Sequence, residues 1–459
     1  MAETHIPKDN TSIDHIPGEY GLPIVGNTLK LLKNPRKVSD YMYRTYGPIY
    51  RNHSFFRKSV TLLGPEANEL VLMDRGRNFS SKHGWDPMLA AFFPNGLMLR
   101  DFDDHKAHRR IMQVAFKNSA MQNYVARLNE GIQHGLKQWE GVDDFHFFPA
   151  IKELTLNTAA SVFLGMGLGP EADRLNQAFI DSVLAAVAVI RAPIPGTKYK
   201  RGLDGRKYIE KYLRDQIEDR RGSDAQDMFT LLCNATDEDG NSYSDDDIVD
   251  HMDFLMMAAH DTLTSSVTTL IYHLSLNPDW QDTLRKECNS LGLEKGAPIP
   301  YEKLDELEMV QWAFKEALRL QPPVPSIPRR TVRDVEFGGY TIPANTPVNI
   351  SPGFTHKMEE YWTNPHNFEP DRFSEQRGED KKHKYAWVPF GGGAHMCIGL
   401  HFAYMQMKVF MYHLLTGYEF SVEDGYRADY QIMPIPRPKD GLPITIRPLT
   451  TADPAKEAA

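Results

Sequence analysis

Between Ser244 and the pair Asn277-Pro278 the sequence carries one unbroken helical pattern. Ser244-Asp245-Asp246-Asp247 opens it as a capping-box pattern ahead of an apolar run, and proline closes it. Roughly thirty residues at 1.5 Å each span roughly 50 Å, enough to cross a whole domain. Helical periodicity dominates from about 104 to 320, and a further helix through "LDELEMVQWAFKEALRLQ" stops at Pro322-Pro323. Short β-prone runs flank this region: "PIYRNHSF" and "SVTLLG" before it, "DVEFGGYTIPANTPVNIS" after it. A Gly-rich loop, a helix from about Ile398 to Leu415 and a β-prone tail follow. The expectation is a mainly α fold with a minor β region.

A chain of 459 residues ordinarily suggests two or three domains. No linker, low-complexity tract or repeat marks a split, and an apolar content of 41% suits one large core. A single domain over residues 1–459 is expected. The net charge of −9 argues against nucleic acid as a partner. Three cysteines make no disulfide framework; Cys233 and Cys288 read as free thiols in a reducing compartment. The start, "MAETHIPKDNTSIDHIPGEY", shows no signal-peptide pattern. The apolar run from Val183 to Ile190 is too short to cross a bilayer. A cytoplasmic monomer is expected, with no transmembrane segment and at most peripheral membrane contact.

Residues 389 to 399, "PFGGGAHMCIG", carry the chemistry. Gly391, Gly392 and Gly393 let the backbone turn tightly and approach a flat ligand. Cys397 follows at the expected start of a helix, where the dipole and free N–H groups stabilise a thiolate. Such a thiolate can ligate haem iron. The pattern F-x-x-G-x-[HR]-x-C-x-G would arise by chance in about one such chain in ten thousand, so a Gly-rich turn before an ordinary buried cysteine is set aside.

These residues resemble the haem-binding signature of the cytochrome P-450 family, with Phe390, Gly391, Gly393, His395, Cys397 and Gly399 in its loop. The resemblance runs through nearly the whole chain. "KEALRL" is similar to the family's E-x-x-R, giving Glu316 and Arg319, and "FEPDRF" supplies Arg372. The resemblance implies that these three form a buried network behind the haem, and spacing i, i+3 puts Glu316 and Arg319 on one helix face. Alone, E-x-x-R describes a solvated surface pair. "DDHKAHRR" resembles H-x-x-x-R, giving His105 and Arg109 as propionate partners. Arg329 falls at another propionate position, with Arg330 as the alternative, and His395 is placed to reach a propionate. In "MMAAHDTLTSS" the family pattern [AG]-G-x-[DE]-T-[TS] reads Ala258, Ala259, His260, Asp261, Thr262, Leu263. The acid–alcohol pair is intact, Ala259 replaces a glycine and Leu263 replaces a hydroxyl. His260 is not expected to ligate iron.

The resemblance implies the family's triangular-prism fold, haem b as cofactor, and insertion of one atom of O2 into an apolar substrate. Cys397 would be the metal ligand, Thr262 would order the distal site and Asp261 would relay protons. Three cysteines cannot hold a four-cysteine cluster while one binds haem, and no flavin signature occurs. A separate redox partner is therefore expected, and the resemblance implies a ferredoxin or flavodoxin with an NAD(P)H-dependent reductase. Ser81 to Leu99, Phe254 and Ala258, Val324 to Ile327, and Ile432 with Met433 are expected to line the substrate pocket. The C-terminal helix and residues 194 to 209 look like the branch of sterol demethylases and retinoic-acid hydroxylases, within a soluble microbial type. A steroid, terpenoid or retinoid-like substrate, hydroxylated or oxidatively demethylated, is the expectation. A haem-thiolate peroxygenase or isomerase, and a non-catalytic haem sensor, are the alternatives.

Overall fold

The computed structural model describes residues 12–188 and 191–449. The expectations that rest on Met1 to Thr11, and on Val189 and Ile190, lie outside the described residues.

The long helical pattern is one helix, Asp245–Leu276. Ser244 Oγ accepts the Asp247 N–H at 3.1 Å, and three aspartates in the first turn face the positive end of the dipole. Buried residues occur all round this helix, as they must in one that runs through a core. The helices Phe147–Leu164, Lys198–Arg220 and Glu308–Leu320 pack against it. Among the described residues no helix is long and apolar enough to cross a membrane.

The β-prone runs join across the chain. Strands β1 (Ile49–Ser54) and β2 (Arg57–Leu62) form an antiparallel hairpin. β3 is Phe79–Ser80, β4 Ile327–Thr331, β5 Val335–Phe337, β6 Tyr340–Ile342 and β7 Pro347–Ile350. The main sheet runs β1-β2-β7-β4-β3, with β7 parallel to β2 and the other pairs antiparallel. Ile49, Val60, Leu62, Ile327, Val348 and Ile350 fill its own small core. The fold is mainly α with a minor β region, as expected.

One boundary differs. The last long helix is Leu400–Gly417, capped at Gly399, so Cys397 lies just outside it. The glycine-rich loop holds its shape up to the cap, and the helical repeat takes over only afterwards.

Candidate functional site

The cysteine loop is a closed turn. The Cys397 N–H donates to the Phe390 carbonyl at 2.9 Å, and Gly391 N–H to Val388 at 3.0 Å. Gly391 and Gly393 take φ of +71° and +60°, and a Cβ on Gly393 would collide with the Leu72 carbonyl, so that position admits only glycine. The Phe390 ring packs on Tyr404 and Trp387. Cys397 has exposed surface, yet surrounding atoms strip it of water, as on the wall of an internal space. Burial pushes its thiol up, while the Gly399 N–H and the Arg109 charge pull it down. A metal ion would complete that deprotonation.

Beside the loop lies a cavity of about 540 Å³, lined by His105, Arg109, Arg329 and His395 among others. Among the described residues the Arg109 side chain has no hydrogen-bond partner, and buried Arg329 reaches only the Pro328 carbonyl, at 2.8 Å. Arg330 instead donates to the Asn345 side chain at 2.8 Å. His105 and His395 stack with centroids 3.9 Å apart. Burial lowers the Arg329 pKa to about 10. Asp101 and Asp74 act on Arg329 only at longer range, and among the described residues neither arginine has a carboxylate within ion-pair distance, which leaves charged donors free to meet an anionic ligand. They fit the two propionates of a haem beside a cysteine that has a free face.

Behind the loop, the Glu316 carboxylate accepts from Arg319 Nε at 2.7 Å, Arg319 Nη2 at 2.9 Å and Arg372 Nε at 3.0 Å. Arg319 also donates to the carbonyls of His356 and Pro365, and Arg372 to Glu379 at 2.7 Å. The three side chains are fully buried. Arg319 thereby ties its helix to the segment beyond the sheet, and Val388 N–H donates to His356 Nε2 at the root of the cysteine loop.

On the central helix, Thr262 Oγ1 donates to the Ala258 carbonyl at 2.9 Å. Ala258 joins an apolar cluster with Leu89, Phe92, Phe93, Leu99 and Phe254, roofed by Val183, Ala185, Ala186, Tyr199 and Leu203. Ala259 and Leu263 face the main core instead, so the leucine replaces a hydroxyl at a position that packs. Asp261 turns toward the Phe147–Leu164 helix. Its Oδ1 is 3.2 Å from Lys152 Nζ and 3.3 Å from His260 Nε2. Burial would raise this carboxyl, but His260 and Lys152 outweigh it and hold it well below the usual carboxylate range. The sequence reading left His260 without a role and missed Lys152 and Glu379. No local pattern marks Lys152, because the helix contact that brings it to Asp261 is formed only in three dimensions.

Two of the stretches expected to line the pocket lie outside this apolar cluster. Val324 and Ile327 belong to the sheet core, because β4 turns Ile327 toward β7. Ile432 and Met433 are half-buried and join none of the core clusters.

The family model for cytochrome P450 matches residues 16–438. Cytochrome P450 136 of Mycobacterium tuberculosis is 40% identical over 450 residues, covering 96% of this chain and 90% of that one. A taxane 10-beta-hydroxylase of Taxus cuspidata is 28% identical, covering 95% and 90%. The solved structure of retinoic acid bound cyanobacterial CYP120A1 superposes with a TM-score of 0.85 at 26% identity, covering 94% of this chain and 99% of that one. The chain belongs to the cytochrome P450 family, and with it to the haem-thiolate monooxygenase oxidoreductases.

Proposed function

We propose that the protein hydroxylates, or oxidatively demethylates, a lipophilic substrate, a steroid, terpenoid or retinoid-like molecule, at a haem b ligated by Cys397. The observation that carries this reading is the meeting of three features on one helix. Thr262 and Asp261 stand side by side, and Ala258 and Phe254 of the same helix face a cluster of apolar side chains. Haem, when bound, supplies the activation and insertion of oxygen.

The chain's own residues supply the rest. Arg109 and Arg329, with His105 and His395, hold the two carboxylates of the cofactor. The Glu316–Arg319–Arg372 network fixes the segment from which the cysteine loop departs. The cluster of phenylalanines and leucines excludes water and gives way to the guest, each buried CH2 contributing roughly 0.8 kcal/mol. Asp261, ionised and next to half-exposed Lys152, passes protons inward toward the Thr262 hydroxyl, and a dry site needs such a route. Electrons from NAD(P)H arrive through a ferredoxin or flavodoxin and its reductase. The structural relative with retinoic acid bound and the taxane hydroxylase support the substrate class.

Titrating the purified haem protein with retinoids, diterpenoids and steroids on one side, and small polar aromatics on the other, tests the reading. A low-to-high-spin Soret shift at low concentrations of the first set is expected. Tight shifts by small polar compounds alone would overturn the substrate class. Under carbon monoxide the reduced protein shows the red-shifted Soret band of thiolate ligation, and Cys397→Ala abolishes it; a band that survives in Cys397→Ala removes the basis of the proposal.

A further inference from the structure

The tip of the β1–β2 hairpin is strained and apolar at once. The strands pair out to Ser54 and Arg57, which leaves Phe55-Phe56 as a two-residue turn. Both take positive φ, +50° and +62°, the geometry of a type I′ turn in which Asn-Gly is favoured because a side chain is costly there. Phe56 is 73% exposed and Phe55 42%. Ile24 repeats the anomaly at φ +66° and 75% exposure, and a β-branched residue in this region is an outlier. Neither backbone preference nor burial within the chain selects these three side chains. Their selection therefore lies in something outside the chain.

They form one surface. The Asn27 N–H donates to the His53 carbonyl at 2.7 Å, and the Phe55 N–H to Thr28 Oγ1 at 2.7 Å. Gly26 bridges Ser54 and Leu22. The chain then enters a short helix, Thr28–Lys33, which buries part of Leu31 against Val38, Met42 and Tyr50 and turns Leu29 and Leu32 outward at 62% and 54% exposure. Lys30 lies between these leucines and Lys33 directly after them, and Arg57 follows the turn. Glu19, opposite Lys30 at 3.5 Å, is a nearby acid. In a chain of net charge −9 this end is locally basic around an apolar centre. A symmetric contact with a second copy would set that basic rim against itself, whereas an anionic bilayer matches both parts.

We propose that this surface seats the protein on an anionic lipid bilayer. Ile24, Phe55 and Phe56 enter the acyl boundary, and Lys30, Lys33 and Arg57 meet the headgroup phosphates. The proposal is independent of the reaction at the haem.

Co-sedimentation of the full-length haem protein with vesicles of phosphatidylcholine, alone or mixed with phosphatidylglycerol, tests it. Binding to the mixed vesicles is expected, weakened by salt and much weaker on phosphatidylcholine alone. The double variant F55N/F56G relaxes the turn, so haem content and melting temperature hold, while partition falls at least about tenfold, or 1.4 kcal/mol. K30Q/K33Q lowers binding to the mixed vesicles only. Absence of vesicle binding, equal binding to both vesicle types, or unchanged partition in F55N/F56G overturns the proposal. So does a lipid-free dimer, seen by sedimentation velocity, that F55N/F56G abolishes.

Discussion

His108 Nδ1 lies 2.8 Å from His251 Nε2, joining the Phe102–Met112 helix to the central helix. Arg100 Nη1 stands 2.7 Å from His108 Nε2 and can only donate. Nε2 of His108 is then the acceptor, its Nδ1 carries the proton, and His251 accepts. The His251 Nδ1 is buried without a hydrogen-bond partner. The surroundings offer no room for a second proton. Burial and Arg100 lower both rings, although Asp247 and Asp104 pull His108 the other way.

The sign of the pH dependence follows. Both folded pKa values lie below the ordinary 6.5, so below about pH 6.5 the unfolded chain binds more protons than the folded one. Stability is fully present above that value and falls as the pH drops. The same helix carries His105 and Arg109, so haem loss follows. Melting temperatures at pH 7.5 and pH 5.5 are expected to differ more in the parent protein than in His251→Gln. Equal differences in the two would remove this pair as the source of acid lability.

Arg329 is buried, and among the described residues its side chain donates only to the Pro328 carbonyl. In the haem site proposed above, Arg329→Ala or Arg109→Ala would take one charged donor from the propionates, worth about 1.5–3 kcal/mol. Haem transfer to apomyoglobin should speed up about tenfold or more in each, with Arg329→Lys between. Unchanged transfer in both alanine variants would place the propionates elsewhere.

The elements with local signatures were legible from the chain alone: the long helix through its Ser244 cap and Asn277-Pro278 stop, the first strands as short β-prone runs, the loop through its glycines. What joins distant segments was not. Lys152 reaches Asp261 only because the Phe147–Leu164 helix packs on the central helix, and Glu379 reaches Arg372 only because an irregular segment folds back. Ile327, expected at the pocket, packs into the sheet core, a contact that depends on β4 pairing with the distant β7. His260 was given no role, yet its Nε2 stands 3.3 Å from the Asp261 carboxylate, a contact that no sequence pattern marks.

Glu316 is the only acid that Arg319 contacts among the described residues, and it serves Arg372 as well. Glu316→Gln keeps the shape and removes the charge, leaving Arg319 uncompensated in the interior. A loss of about 3–5 kcal/mol is expected, read as a lower midpoint in urea together with weaker haem retention. A loss under about 1 kcal/mol would mean that the carbonyls of His356, Pro365 and Asn367 suffice.

Asp261 is governed by two opposing influences, and removing one of them has a definite direction. Burial raises its pKa, while His260 and Lys152 lower it further than burial raises it. Lys152→Gln takes away one cation and leaves the burial, so the carboxyl rises. A carboxylate that relays protons works in its ionised form, and the acid limb of turnover should therefore move to higher pH. Thr262→Ala removes the hydroxyl that now bonds the Ala258 carbonyl, and it acts at a different point. It should bind haem and substrate as before, yet release more of the consumed reducing equivalents as hydrogen peroxide, with little shift of the pH profile. The two variants thus separate proton entry from proton placement. Turnover, peroxide yield and NAD(P)H consumption measured from about pH 4 to about 8 for both variants check this. A Lys152→Gln profile that superposes on the parent's, with full coupling in Thr262→Ala, would show that protons reach the site by another route.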